Sequence, residues 1–346
     1  MSLKERNYWI EQAKARLLAN ERRADDVTKE LMMLYDEAAN LLEQDIYNLF
    51  ARYAKDNALT TAEAARLLSG AEYSRWRKSM EEYLAAVKAA GNTPEGAKLL
   101  LELNTLAMKS RISRKEQLLA NVYQNMINLA GDTTTRLNDL LGDMLKINYY
   151  EGCWRIQCGI KMAFAVPKIS EKLVKSILAY PWAEKHFSRS VWGNCEHLAA
   201  LARREIALGF IQGSSVDKMA AAIEGVMHKG RYAAERLVRT ECKYFANQGE
   251  LAAYKENGIK QYRFLGGSER SGAYCGCLEL NGQIFDVEDA EPGVNFPPMH
   301  PNCLCTVVAH FKRSMFGHLP DGATPITQNP NFKQWAKKYA KELNVN

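Results

Sequence analysis

No glycine precedes Gly70 and no proline precedes Pro94, so the opening of the chain lacks the two residues that most readily interrupt a helix. A helical bilayer span needs about 20 consecutive apolar residues. Every long apolar stretch here is cut by charge, so no span and no membrane partner are expected. The first residues, Met1-Ser-Leu-Lys-Glu-Arg6, have neither the apolar core nor the cleavage site of a secretory signal. The chain is therefore expected to be made and folded in a cytoplasm. Signatures of several enzyme classes are missing too: no His-Glu-x-x-His, no phosphate loop, no Gly-x-Ser-x-Gly and no dinucleotide fingerprint. What is present is ordinary folded-protein material, 47% apolar and 25% charged residues, which excludes wholesale disorder and collagen-like fibre. A length of 346 residues points to more than one core.

The net charge of +6 is unevenly placed. Residues 1–150 carry 21 basic and 21 acidic side chains, residues 151–263 carry 18 and 11, and residues 264–346 carry 7 and 8. A basic middle suits nucleic acid or an acidic partner. A solvated helical surface is the plainer alternative.

Leu31, Leu34, Tyr35, Ala38, Leu41, Leu42, Ile46, Leu49 and Tyr53 recur at three- and four-residue steps, the stripe of a long amphipathic helix. Thr60-Thr-Ala-Glu63 and Ser113-Arg-Lys-Glu116 are capping boxes, and Thr93-Pro94 supplies a cap followed by proline at the first helical position. Glycines suggest helix ends near 70, 91, 131, 209, 230 and 258. Past Gly258 the pattern changes. Seven glycines lie from Gly258 to Gly293, seven of the ten prolines lie beyond position 290, and strand-like runs appear at 261–265, 283–287 and 306–311. Residues 259–311 thus predict a small β unit on a helical body, with few large apolar residues of its own. Residues 312–346 predict a tail with one amphipathic turn around Phe332–Tyr339.

Of eight cysteines, Cys153, Cys158, Cys195 and Cys242 are scattered singly, as small buried hydrophobes are. Cys275-Gly-Cys277 and His300-Pro-Asn-Cys303-Leu-Cys305 bring five candidate ligands into one stretch, where zinc needs four. In extended segments residues i and i+2 share a face, so each Cys-x-Cys arm can present two thiolates together. A structural Zn²⁺ would stabilise a unit too small to bury much surface. Reduced cysteines packed between strands, late disulfides and a redox or catalytic role remain as alternatives. Cys195-Glu-His197 is not a dyad on a helix, where i and i+2 diverge. Arg239-Thr-Glu241 lies in the last long helix, with Glu235 one turn before Arg239. It is either an exposed ion-paired face or a pair of side chains fastening the helix on opposite sides.

The series Phe187-Ser-Arg-Ser-Val-Trp192, Gly213-Ser-Ser-Val216, Arg239-Thr-Glu241, Cys277-Leu-Glu-Leu-Asn-Gly282 and Pro297-Pro-Met-His300-Pro-Asn-Cys303-Leu-Cys305 resembles the tailed-phage minor head proteins, the phage Mu F-like head morphogenesis family. Three positions depart from the family pattern: Cys-x-Cys replaces Cys-x-x-Cys, Glu269 stands where an aspartate is common, and Leu304 replaces an arginine. The resemblance implies a non-enzymatic minor capsid protein associated with the portal, and with scaffold or major capsid protein. It further implies residence inside the virion head and a link to DNA packaging or ejection. The expected organisation is mainly α: a helical docking body over 1–165, a head morphogenesis domain over 166–311 (helices to 258, then the cysteine–histidine β unit) and a tail over 312–346. The competing reading is a metal-dependent nucleic-acid hydrolase using the same cluster.

Overall fold

The structure, a computed structural model, describes residues 3–60, 63, 64, 67, 85–87, 89, 90, 93–110, 112–183, 185–212, 214–266, 276–310 and 322–340. It is mainly helical, with a small β unit near the C-terminus. The elements are α1 (Leu3–Asp56), α2 (Pro94–Ser110), α3 (Ile112–Ile160), β1 (Met162–Ala163), α4 (Glu171–Ala179), α5 (Phe187–Gln212), α6 (Val216–Glu256), β2 (Gln261–Leu265), a 3₁₀ turn (Gly276–Leu280), β3 (Ile284–Asp286), β4 (Thr306–His310), β5 (Thr324–Pro325) and α7 (Phe332–Tyr339). Among the described residues no helix is long and apolar enough to cross a membrane.

The buried stripe of α1 runs Leu31, Tyr35, Ala38, Leu42, Ile46, Phe50 and Tyr53, while Leu41, expected on it, is 44% exposed. The Thr60–Glu63 capping box is made in both directions, Thr60 N–H to Glu63 Oε2 at 2.8 Å and Glu63 N–H to Thr60 Oγ1 at 3.2 Å. Gly96 N–H donates to Thr93 Oγ1 at 3.2 Å, as the cap before Pro94 requires. The other capping box does not open its helix, because α3 already begins at Ile112.

Three glycines expected to end helices lie inside them. Gly131 is crossed by α3, whose buried stripe continues through Met126, Ala130, Leu137 and Leu141. A glycine there costs about 1 kcal/mol against alanine, too little to stop a helix whose next turns are buried. Gly209 and Gly230 lie within α5 and α6. A Cβ on Gly230 would stand 2.4 Å from Leu198 Cδ1, so the missing side chain is what lets these helices approach. Gly258 does end α6, with φ of +68°.

The chain falls into two compact units. One comprises Met32–Thr133 and Val191–Ala233. Its core gathers Tyr35, Leu42 and Phe50 of α1, Val122 and Met126 of α3, and Cys195, Leu198 and Ile206 of α5. Phe50 and Phe210 stack at 6.4 Å.

The other unit comprises Met1–Leu31, Thr134–Ser190 and Ala234–Asn346 and contains the β unit. Three strands pair antiparallel in the order β3-β2-β4, with Tyr262 opposite both Phe285 and Ala309. Alternation along β2 buries Tyr262 and Phe264. Phe296 meets Tyr262 edge-on at 5.3 Å, and Val287, Val307, Val308 and Ala309 complete the layer. The β unit therefore has an aromatic core, against the expectation that it buries little. Residues 322–340 pack onto the same unit. β5 pairs with β1, a complete Asn331–Gln334 capping box starts α7, and the fully buried Trp335 donates its indole N–H to Gln157 Oε1 at 2.8 Å.

The same unit holds a buried ion cluster. Glu250 of α6 forms ion pairs with Arg16 of α1 and Arg155 of α3, each at 2.7 Å. Arg155 also reaches Glu151 at 3.4 Å, and Glu151 pairs with Arg23 at 2.6 Å. Burial alone would push the Glu250 carboxyl up; Arg155 and then Arg16 reverse this and hold it low. The neighbouring Gly249 brings α6 against the backbone of α3, where a Cβ would stand 2.4 Å from the Leu145 carbonyl oxygen. Glu250→Ala would take the shared carboxylate away from two buried guanidinium groups, an expected loss of ~3–5 kcal/mol. Urea unfolding measures it, and a loss below about 1 kcal/mol would show that the cluster is not structural.

Candidate metal centre

Cys277 lies on the 3₁₀ turn Gly276–Leu280, so the first arm is not extended there. Cys275 lies outside the described residues. His300 and Cys303 are the ends of a turn closed by Cys303 N–H donating to the His300 carbonyl at 3.1 Å. Asn302 within it adopts a left-handed φ of +59°, which asparagine tolerates better than most residues. One ligand atom from each of Cys277, His300 and Cys303 lies within 4.8 Å of the other two. Cys303 is 2% exposed and Cys277 4% exposed. Cys305, buried just ahead of β4, hydrogen-bonds through its side chain to Cys303. That contact is the largest of the causes that hold the Cys303 thiol down to about 5 against its burial. His300 Nδ1 lies 2.8 Å from the Pro301 carbonyl oxygen. With the proton on Nδ1 for that bond, Nε2 carries the lone pair, the state in which imidazole ligates metals. Three thiols and an imidazole are a donor set suited to a soft or borderline cation, so the cluster could hold a metal.

The Arg-Thr-Glu segment of α6 adjoins this turn. Arg239, half exposed, reaches Glu235 at 3.0 Å and Asp25 of α1 at 3.3 Å. Glu241 points elsewhere, 4% exposed, accepting the Trp182 indole N–H at 3.0 Å. Trp182 stacks on Tyr244 with centroids 5.1 Å apart. Between them Thr240 accepts the Asn302 backbone N–H at 3.2 Å. Sequence reasoning passed over Thr240. Its position inside the motif was the available signal. Lys243, one turn further, has its pKa lowered by burial, with Glu21, Cys303 and Cys305 opposing.

The four helix cysteines are all buried. Burial pushes the Cys158 and Cys195 thiols up to about 11 and those of Cys153 and Cys242 higher still. Cys195 contacts the Tyr35 hydroxyl, and His197 is exposed, so thiol and imidazole do not meet.

Burial raises the Glu241 carboxyl to about 7, the Trp182 hydrogen bond opposing. A carboxyl whose value is higher folded than unfolded stabilises most below the unfolded value, and that contribution fades as pH rises through the folded one. Wild-type stability should therefore fall between about pH 4.5 and pH 7 on this account. Glu241→Gln should flatten that fall in urea midpoints; an unchanged slope would exclude Glu241 as its source.

Residues 202–308 match the family model described as Phage Mu protein F like protein. No curated protein and no solved structure matches the chain. The matched segment takes in the Arg-Thr-Glu helix, β2, β3, the first residues of β4 and all the gathered donors, and over residues 202–308 the chain is similar to the phage Mu protein F-like family.

Proposed function

We propose that this chain is a minor, non-enzymatic component of a phage head. It acts in head morphogenesis at the portal vertex, and its C-terminal β unit is held by one structural zinc ion. The observation that supports the reading most directly is that a single family match spans both Arg239-Thr-Glu241 and the cysteine–histidine turn. Those two segments touch through Thr240 and Asn302. Cys277, His300, Cys303 and Cys305 would hold the ion. Bound by four protein ligands, zinc supplies stability to the fold and offers no open position to a substrate. The basic stretch over 151–263 supplies cations for sequence-independent contact with packaged DNA. Portal protein, with scaffold or major capsid protein beside it, is the partner this role requires, inside the head and in the host cytoplasm during assembly.

Two experiments test it. The purified chain should carry one zinc, and Cys303→Ser should lose it. With free zinc about a thousandfold above Kd the linkage is worth ~4 kcal/mol, on the order of 10 °C in thermal midpoint. A zinc-free chain of equal stability, or zinc-dependent cleavage of DNA that Cys303→Ser abolishes without unfolding, would overturn the structural reading. In cells assembling heads, the chain should sediment with portal-containing procapsids. Procapsids that retain portal but lack the chain would overturn the assembly role.

A further inference from the structure

The geometry points to Thr240 as the positioning residue of the metal centre: its hydroxyl holds the His300–Cys303 turn in the register at which His300 and Cys303 converge on Cys277. The inference rests on the metal reading above.

Thr240 is 6% exposed, and both hydrogen-bonding roles of its hydroxyl are assigned. The O–H donates to the Arg236 carbonyl at 2.7 Å, one turn back on α6. The oxygen is thereby turned to accept, and the Asn302 N–H arrives at 3.2 Å. Asn302 is the left-handed residue of the turn, so this contact grips the backbone midway between the two ligands. The helix is secured on either side of the hydroxyl: Arg239 bonds to Asp25 of α1, and Glu241 to the Trp182 indole. Those flanking contacts tie this turn of α6 to α1 and to Trp182, and Thr240 ties it to the ligand turn. Groups that orient ligands without touching a metal typically change its affinity by about 10- to 100-fold when removed.

The test compares the full-length chain with Thr240→Val, which keeps the shape and loses the hydroxyl, and Thr240→Ser, which keeps the hydroxyl. Zinc alone is the probe, with affinity read by competition against a chromophoric chelator. Thermal unfolding of the metal-free proteins is measured in parallel. Thr240→Val should weaken zinc binding about tenfold, with metal-free unfolding within a few degrees of wild type, and Thr240→Ser should restore binding. Should valine disturb the helix, Thr240→Ala removes the same hydroxyl and carries the same expectation. Wild-type affinity in the valine and alanine variants would overturn the positioning role and leave the metal centre standing. Failure of the wild-type chain to bind zinc would overturn both.

Discussion

One carboxylate, Glu250, joins three helices that are remote in sequence. Its two guanidinium partners come from residue 16 and residue 155, at 2.7 Å each. In the protein interior such a charge is tolerable only while both partners and their other hydrogen bonds are in place. Those other bonds are present. Arg16 bonds to the Thr306 hydroxyl and to the Val307 carbonyl at 3.1 Å, and Arg155 to Glu151 at 3.4 Å; Asn20 and Asn148, from α1 and α3, exchange amide hydrogen bonds at 2.8 and 3.0 Å. The ordering of α1, α3, α6 and β4 in this unit is therefore set by polar groups with narrow geometric requirements, with apolar packing filling in around them.

The same arrangement governs the cysteine–histidine turn. One side of the turn is gripped at Asn302 by Thr240, and on the other Cys305 leads directly into β4, whose first two residues are held by Arg16. The donor atoms thus converge on loops whose ends are both fixed by helical segments. Preorganisation of this kind reduces what must be ordered when a ligand binds. It also accounts for where the Arg-Thr-Glu side chains go: the outer two bond to Asp25 and Trp182, and the middle one to the turn.

The apolar periodicity of α1 was legible from Leu31 onward, because there the buried positions are hydrophobic. The stripe continues backward at the same spacing through Thr28, Ala24, Asn20, Arg16, Ala13 and Trp9. An arginine and an asparagine at buried positions look like solvent-facing residues until their partners 128 or more residues away are known. Glycines misled for a related reason. Gly209 and Gly230 record close approach to side chains of neighbouring turns, which a one-dimensional pattern cannot separate from a stop signal. The strands of the β unit were legible from β-branched and aromatic runs, and the donors from their spacing. The docking of residues 322–340 was not, since it depends on Gln157 meeting both the Phe164 backbone and the Trp335 indole.

Two cysteine populations coexist in this chain. Cys153, Cys158, Cys195 and Cys242 sit inside helical packing with their thiols shifted upward, and so stay protonated at neutral pH. Cys303 is shifted the opposite way. Since the thiolate is the form that ligates a metal, the helix thiols suit apolar packing and the turn thiol suits ligation.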